Sequence, residues 1–365
     1  MSLESLRRLR DTQGQSLWLD NLSRTLLEEG QLARYIEDYG IRGITSNPSI
    51  FEKAIRESRY YREDIHRLKH ELDDVEAIYE QLVVRDIQAA CDLLRPIFEI
   101  SGGDDGYVSW EESPKLAHNP VSSVVAAERL RGLTGRANLL IKIPATEEGI
   151  HAFEELVARG HSLNITLMFS LGHVRAVFDA YIRGLRRLQQ AGGDLSVVKC
   201  VASLFLSRVD TLVDARLTAI GSEGALALRG QAALAMARLA YRYYQSLFHG
   251  PAFADLANAG ARPQYLLWAS TGTKNAAYSD LLYVENLIGP ETINTLPDGT
   301  LKAFADHGRV TRSVDQGIEE AEAVYRALGE LGIDMDGEIA QSLQEEGLKL
   351  FSDAFDALLA RIAQT

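Results

Sequence analysis

Eight short apolar runs recur along the chain, and between them apolar positions fall three and four residues apart. The runs are residues 16–22, 41–47, 107–111, 138–143, 162–170, 196–205, 264–270 and 292–296. Most are nearly continuous rather than alternating, the pattern of strands covered on both faces. The intervening spacing predicts helices over 30–39, 49–96, 120–133, a stretch from Thr146 past Val157, a stretch ending at 190, and 206–247. Further helices are expected over 278–287, 301–307, 314–331 and from 339 to the last residue. Ile78, Leu82, Val83, Ile87, Ala90 and Leu94 trace one helical face.

Strand and helix alternating eight times predict an α/β fold with a closed parallel sheet, a (β/α)8 TIM barrel. The 365 residues fit one such domain over 1–365 with additional helices. The stretch 206–247 is longer than a barrel needs, so it should hold an extra helix, with a break near Gly221 to Gly224. Further helices should occupy about 314–365. A doubly wound open sheet is the alternative, but no run is followed by G-x-G-x-x-G or a P-loop.

The fourth run sets the chemistry. Leu139-Leu140-Ile141-Lys142-Ile143-Pro144 places one lysine inside an aliphatic strand, two residues before a proline that has no N–H for the ladder. Thr146 caps the next helix, and Glu147 and Glu148 suit its positive end. Low dielectric disfavours an ammonium relative to the neutral amine. A neutral amine attacks carbonyls and forms Schiff bases. A buried ion pair is the structural alternative, and the other strand ends decide between the two.

In a barrel the active site lies where the strands' C-terminal ends meet. There the chain offers Asp20, Thr45, Asn47, Glu111, Asn164, Thr166, Ser203 and Ser270 beside Lys142. An amine, two carboxylates and several hydroxyl or amide groups suit Schiff-base chemistry on a sugar. Arg208 and the loop Ser270-Thr271-Gly272-Thr273-Lys274-Asn275 are the cationic and backbone candidates for a phosphate. Lys199 lies near the start of its run and should sit toward the barrel floor in a structural role.

Composition narrows the partners. The net charge of −13 argues against a general nucleic-acid or anionic-membrane surface. Cys91 and Cys200 give neither a disulfide framework nor zinc spacing, which fits a reducing compartment. With no apolar stretch of about 18 residues and no apolar leader near Met1, a cytoplasmic protein is expected. Monomer and homodimer are both compatible with these features.

Five ordered segments resemble the transaldolases, especially their longer bacterial branch. They are Gly43-Ile44-Thr45-Ser46-Asn47-Pro48-Ser49-Ile50-Phe51, the Lys142 stretch, Asn164-Ile165-Thr166-Leu167-Met168-Phe169-Ser170, Ser203-Leu204-Phe205-Leu206-Ser207-Arg208-Val209-Asp210, and Ala269-Ser270-Thr271-Gly272-Thr273-Lys274-Asn275. The resemblance implies a transferase that needs neither metal nor organic cofactor. It would move a dihydroxyacetone unit between sugar phosphates in the non-oxidative pentose phosphate pathway. Lys142 would be the Schiff-base lysine, Asp20 the acid/base at the C4 hydroxyl, and Glu111 with Thr166 the holders of a proton-relaying water. Thr45, Asn47, Asn164 and Ser203 would bind the dihydroxyacetone part, and Arg208, Ser270 and Lys274 the phosphate.

Two departures stand out. Shorter members carry an arginine two residues after the serine matching Ser270, whereas here the nearest cation is Lys274, with two residues more between, and a lysine is a point charge rather than a fork. Glu112 follows Glu111 where the family usually has valine, so Glu111 is the choice and Glu112 the alternative. An aldolase that releases dihydroxyacetone, a non-catalytic sugar-phosphate-binding barrel and a nicotinamide oxidoreductase are the rival readings.

Overall fold

The computed structural model describes residues 3–365. Its centre is a closed parallel barrel whose strands follow chain order: β1 (Gln15–Leu19), β2 (Gly43–Thr45), β3 (Val108–Glu111), β4 (Leu139–Pro144), β5 (Leu163–Met168), β6 (Cys200–Phe205), β7 (Tyr265–Ala269) and β8 (Thr292–Leu296). The ring closes where β1 pairs with β8, from Gln15 opposite Thr292 to Leu19 opposite Leu296. The (β/α)8 expectation is therefore met, with extra helices around the ring.

Several boundaries differ from the sequence pattern for identifiable reasons. The run 41–47 yields only three strand residues, because Asn47 is already the cap of helix Pro48–Glu57, its side chain accepting from the Ile50 N–H at 3.1 Å. The run 196–205 starts its strand only at Cys200, since Asp194 caps a 3-10 turn over Leu195–Val197. Lys199 thus precedes β6. Pro96 lies inside helix Val75–Ile100 instead of ending it, at an exposed position where a freed carbonyl can meet water. The helix expected over 278–287 shrinks to Leu282–Asn286, and 314–331 becomes Ile318–Glu330. The final helix, Ala340–Gln364, is preceded by a π turn over Met335–Ile339. Helices Leu3–Arg7 and Leu9–Gln13 went unforeseen, being too short to show a period.

Helix Ser207–Ile220, then Glu223–Ala227 and Ala232–Phe248, replace the single long helical region. Gly221, at φ 71°, breaks it, as the sequence led one to expect.

At the N-terminal end of the barrel Lys199 is tied down. Its Nζ lies 2.6 Å from Asp104 Oδ1 and 3.2 Å from the centroid of the Tyr265 ring, and Arg10 reaches the same carboxylate. A lysine so satisfied has a structural part in the floor.

Candidate functional site

Lys142 projects from β4 and is almost wholly buried. Its Nζ lies 3.2 Å from Glu111 Oε2 and donates to the Ser46 carbonyl at 3.2 Å. The pairing follows from register: Glu111 and Lys142 are opposite each other across β3 and β4. Glu112, one residue on, points the other way and accepts from Ser123 Oγ at 2.7 Å. Between the two acids, geometry puts Glu111 at the lysine and Glu112 against the helix layer. Burial pushes Glu112 up to about 8, so its carboxyl holds its proton at neutral pH.

Asp20, just beyond β1, accepts from Thr45 Oγ1 at 2.6 Å, and Thr45 Oγ1 lies 2.6 Å from Thr295 Oγ1. Thr45 has one proton, so if it donates to Asp20 then Thr295 donates to Thr45. Burial raises the Asp20 carboxyl above its ordinary range, opposed by Lys142 and by the Thr45 hydrogen bond. Burial raises Glu111 in the same way, again opposed by Lys142. Two carboxylates beside one amine are thus biased toward their protonated forms.

A cavity of about 190 Å³ opens above these groups. Asp20, Thr45, Asn47, Lys142, Ser203, Arg208, Ser270 and Lys274 line it. Glu111, Asn164 and Thr166 stand outside that lining and are buried. Asn164 accepts from Ser203 Oγ at 2.7 Å and donates to Ser109 Oγ at 3.0 Å, so it fixes the serine that reaches the cavity. Thr166 Oγ1 has no hydrogen-bond partner among the described residues.

The cationic side of the cavity is built by the start of helix Ser207–Ile220 and the loop after β7. Arg208 stands in the first turn of helix Ser207–Ile220, where N–H groups and the helix dipole favour an anion. Its Nη1 is buried and without a hydrogen-bond partner among the described residues, and burial lowers its pKa. Ser270 has φ 55°, a left-handed conformation uncommon outside glycine, and its Oγ lies 2.8 Å from Ser207 Oγ. Lys274 is exposed on the same loop.

Some of the wall escaped the sequence reading. Thr295 is legible in the sequence as a polar residue near the end of β8, and it lines the cavity beside Thr45. Phe351, on helix Ala340–Gln364, gave no signal, because nothing local says that a late helix crosses the barrel mouth. That helix is held there by Gln344 Nε2, which donates to the Ala145 carbonyl at 2.7 Å and the Leu167 carbonyl at 3.3 Å. Leu167 lies within the register shift between Ile165 and Met168 of β5 and has φ 56°. Gly347 permits the approach, since a Cβ there would sit 3.0 Å from Leu167 Cδ2.

Among the described residues, no group of three or more His, Cys, Asp or Glu is placed to hold a metal ion, and no helix is long and apolar enough to cross a membrane.

A lysine inside a (β/α)8 barrel, paired with one carboxylate and sharing a cavity with another and with cationic groups, defines an aldolase-type enzyme for phosphorylated carbonyl compounds. Comparison with known proteins makes this specific. The family model described as Transaldolase/Fructose-6-phosphate aldolase matches residues 17–362, and the chain belongs to that family. A transaldolase of Thiobacillus denitrificans is 55% identical over 349 residues, covering 96% of this chain and 97% of its own. Transaldolase 1 of Streptomyces coelicolor is 45% identical over 362 residues, with 99% and 94% covered. A transaldolase of Thermobifida fusca is 45% identical over 360 residues, with 98% and 97% covered. The chain is accordingly a transferase of the transaldolase type.

Proposed function

We propose that the enzyme moves a dihydroxyacetone unit from sedoheptulose 7-phosphate or fructose 6-phosphate to glyceraldehyde 3-phosphate or erythrose 4-phosphate, through a Schiff base on Lys142. This is the non-oxidative pentose phosphate step. The observation that carries the reading is the 3.2 Å pairing of Lys142 with Glu111 in a strand end that shares its cavity with Asp20.

Glu111, whose carboxyl burial raises, is the acceptor for the proton Nζ gives up on becoming a nucleophile. The amine adds to the ketose C2 carbonyl, and loss of water gives the protonated imine. Asp20 then takes the C4 hydroxyl proton as the C3–C4 bond breaks. The bonding pair moves into an enamine, and the first aldose leaves. The enamine carbon attacks the acceptor aldehyde, Asp20 returns the proton to the new alkoxide, and water hydrolyses the imine. Glu111 and the unpartnered Thr166 hydroxyl serve the water at C2. Thr45, Asn47, Asn164 and Ser203 hold the dihydroxyacetone hydroxyls; Arg208, Ser270 and Lys274 take the phosphate.

Borohydride reduction after incubation with fructose 6-phosphate, followed by intact mass and peptide mapping, tests this. A three-carbon adduct on Lys142 is expected. An adduct on Lys199, or sugar binding with no adduct, overturns the assignment.

A further inference from the structure

The β7 loop that brings Ser270 and Lys274 to the cavity is anchored at its far end on the extra helices between β6 and β7. Tyr278 Oη donates to Asp214 Oδ2 at 2.5 Å, and Tyr283 Oη donates to Asp210 Oδ2 at 2.8 Å. Each carboxylate turns its other oxygen to the chain just before helix Ala232–Phe248 or to its first turn. Asp214 Oδ1 accepts from the Gly230 N–H at 2.8 Å, and Asp210 Oδ1 from the Ala233 N–H at 2.8 Å. Both aspartates stand on helix Ser207–Ile220, the helix that carries Arg208 in its first turn.

The fit at Tyr278 depends on the inserted segment. Gly230, at φ 73°, lies under the ring, where a Cβ would come within 2.9 Å of Cζ. A second cavity of about 170 Å³ is lined by the anchors Asp210, Asp214, Tyr278 and Tyr283 together with Ser207, Lys274 and Asn275. Lys274 lines both cavities. The loop borders both cavities, and besides Thr271, whose hydroxyl donates to the Thr295 carbonyl at 3.0 Å, it is held at two places. One is Ser270, bonded to Ser207; the other is the tyrosine pair.

We infer that Asp210 and Asp214 are positioning residues that, through Tyr283 and Tyr278, fix the β7 loop relative to Arg208 and so set selectivity for a phosphorylated sugar. The helices between β6 and β7 act as a brace. This rests on the reading that Arg208, Ser270 and Lys274 bind phosphate, and it assigns a purpose to a segment the barrel itself does not need.

Tyr278→Phe deletes one hydroxyl and keeps the ring. The KM for fructose 6-phosphate should rise on the order of tenfold, as for loss of a hydrogen bond to a charged group. The ratio of kcat/KM for fructose 6-phosphate to that for unphosphorylated fructose should fall by the same factor. Tyr283→Phe should act in the same direction, so one poorly folding variant does not decide the matter. In a Lys274→Ala background the effect of Tyr278→Phe on this ratio should shrink, because the loop then has less to position. Equal losses for both sugars, or an undiminished effect in the Lys274→Ala background, overturn the brace. If neither Arg208→Ala nor Lys274→Ala changes the ratio, the phosphate assignment fails instead.

Discussion

Thr45→Val separates two roles for one hydroxyl. If Thr45 only holds a substrate hydroxyl, its loss weakens the reaction equally at every pH. The structure gives it a second duty, since Oγ1 lies 2.6 Å from Asp20 Oδ1 and is itself 2.6 Å from Thr295. Valine is nearly the same shape, so the change removes the hydrogen bond without opening a cavity. A hydrogen bond to a charged group is worth about 1.5–3 kcal/mol, and each 1.36 kcal/mol is tenfold in rate. The hydrogen bond favours the ionised carboxylate and opposes the upward effect of burial. Its loss must move the acid limb of kcat/KM to higher pH. On that limb the variant should lose about tenfold to a hundredfold against the parent, while the plateau changes much less. A pH series of kcat/KM for fructose 6-phosphate reads this directly. Thr295→Val should give a smaller shift in the same direction, because it acts through Thr45. A loss independent of pH, or a limb moved to lower pH, refutes the reasoning.

Two other expectations concern stability and partition. Glu112 titrates at about 8 in the folded chain, well above an unfolded glutamate. The folded state therefore keeps a proton that the unfolded state has released, and stability should decline from about pH 4.5 to about pH 8. Glu112→Gln should flatten that decline in the thermal midpoint; parallel midpoint curves would exclude the explanation. Phe351 is 3% exposed in the cavity wall, so Phe351→Ala should cost roughly 3–5 kcal/mol and admit water to the enamine. Free dihydroxyacetone should then rise relative to transfer, with Phe351→Leu between the two; an unchanged ratio in a folded variant removes Phe351 from water exclusion.

What was legible in the sequence was what local pattern encodes. Continuous apolar runs gave the eight strands, and the polar residues at their ends gave Lys142, Asp20 and Glu111, because a strand fixes which side chains share a face. Glu111 and Glu112 stayed alternatives until register put one beside Lys142 and the other beside Ser123. Boundaries slipped where a side chain competes with the ladder, as Asn47 and Asp194 do by capping. Phe351, Gln344 and the tyrosine anchors were out of reach. Each depends on where a distant helix or loop comes to rest, and only long-range packing decides that.

The hydrogen-bonded row Asp20, Thr45 and Thr295 joins β1, β2 and β8, and Thr45 and Thr295 are 250 residues apart in the chain. It straddles the seam where the ring closes. Contacts that close so long a loop are entropically expensive and slow to form. Helices and neighbouring strands can assemble from local contacts first, leaving Lys142 beside Glu111 across β4 and β3 while the row that holds Asp20 still lacks Thr295. With Asp20 as the proposed acid/base, catalysis belongs to the completed circle, and recovery of activity on refolding should track the meeting of first and last strand rather than the return of secondary structure.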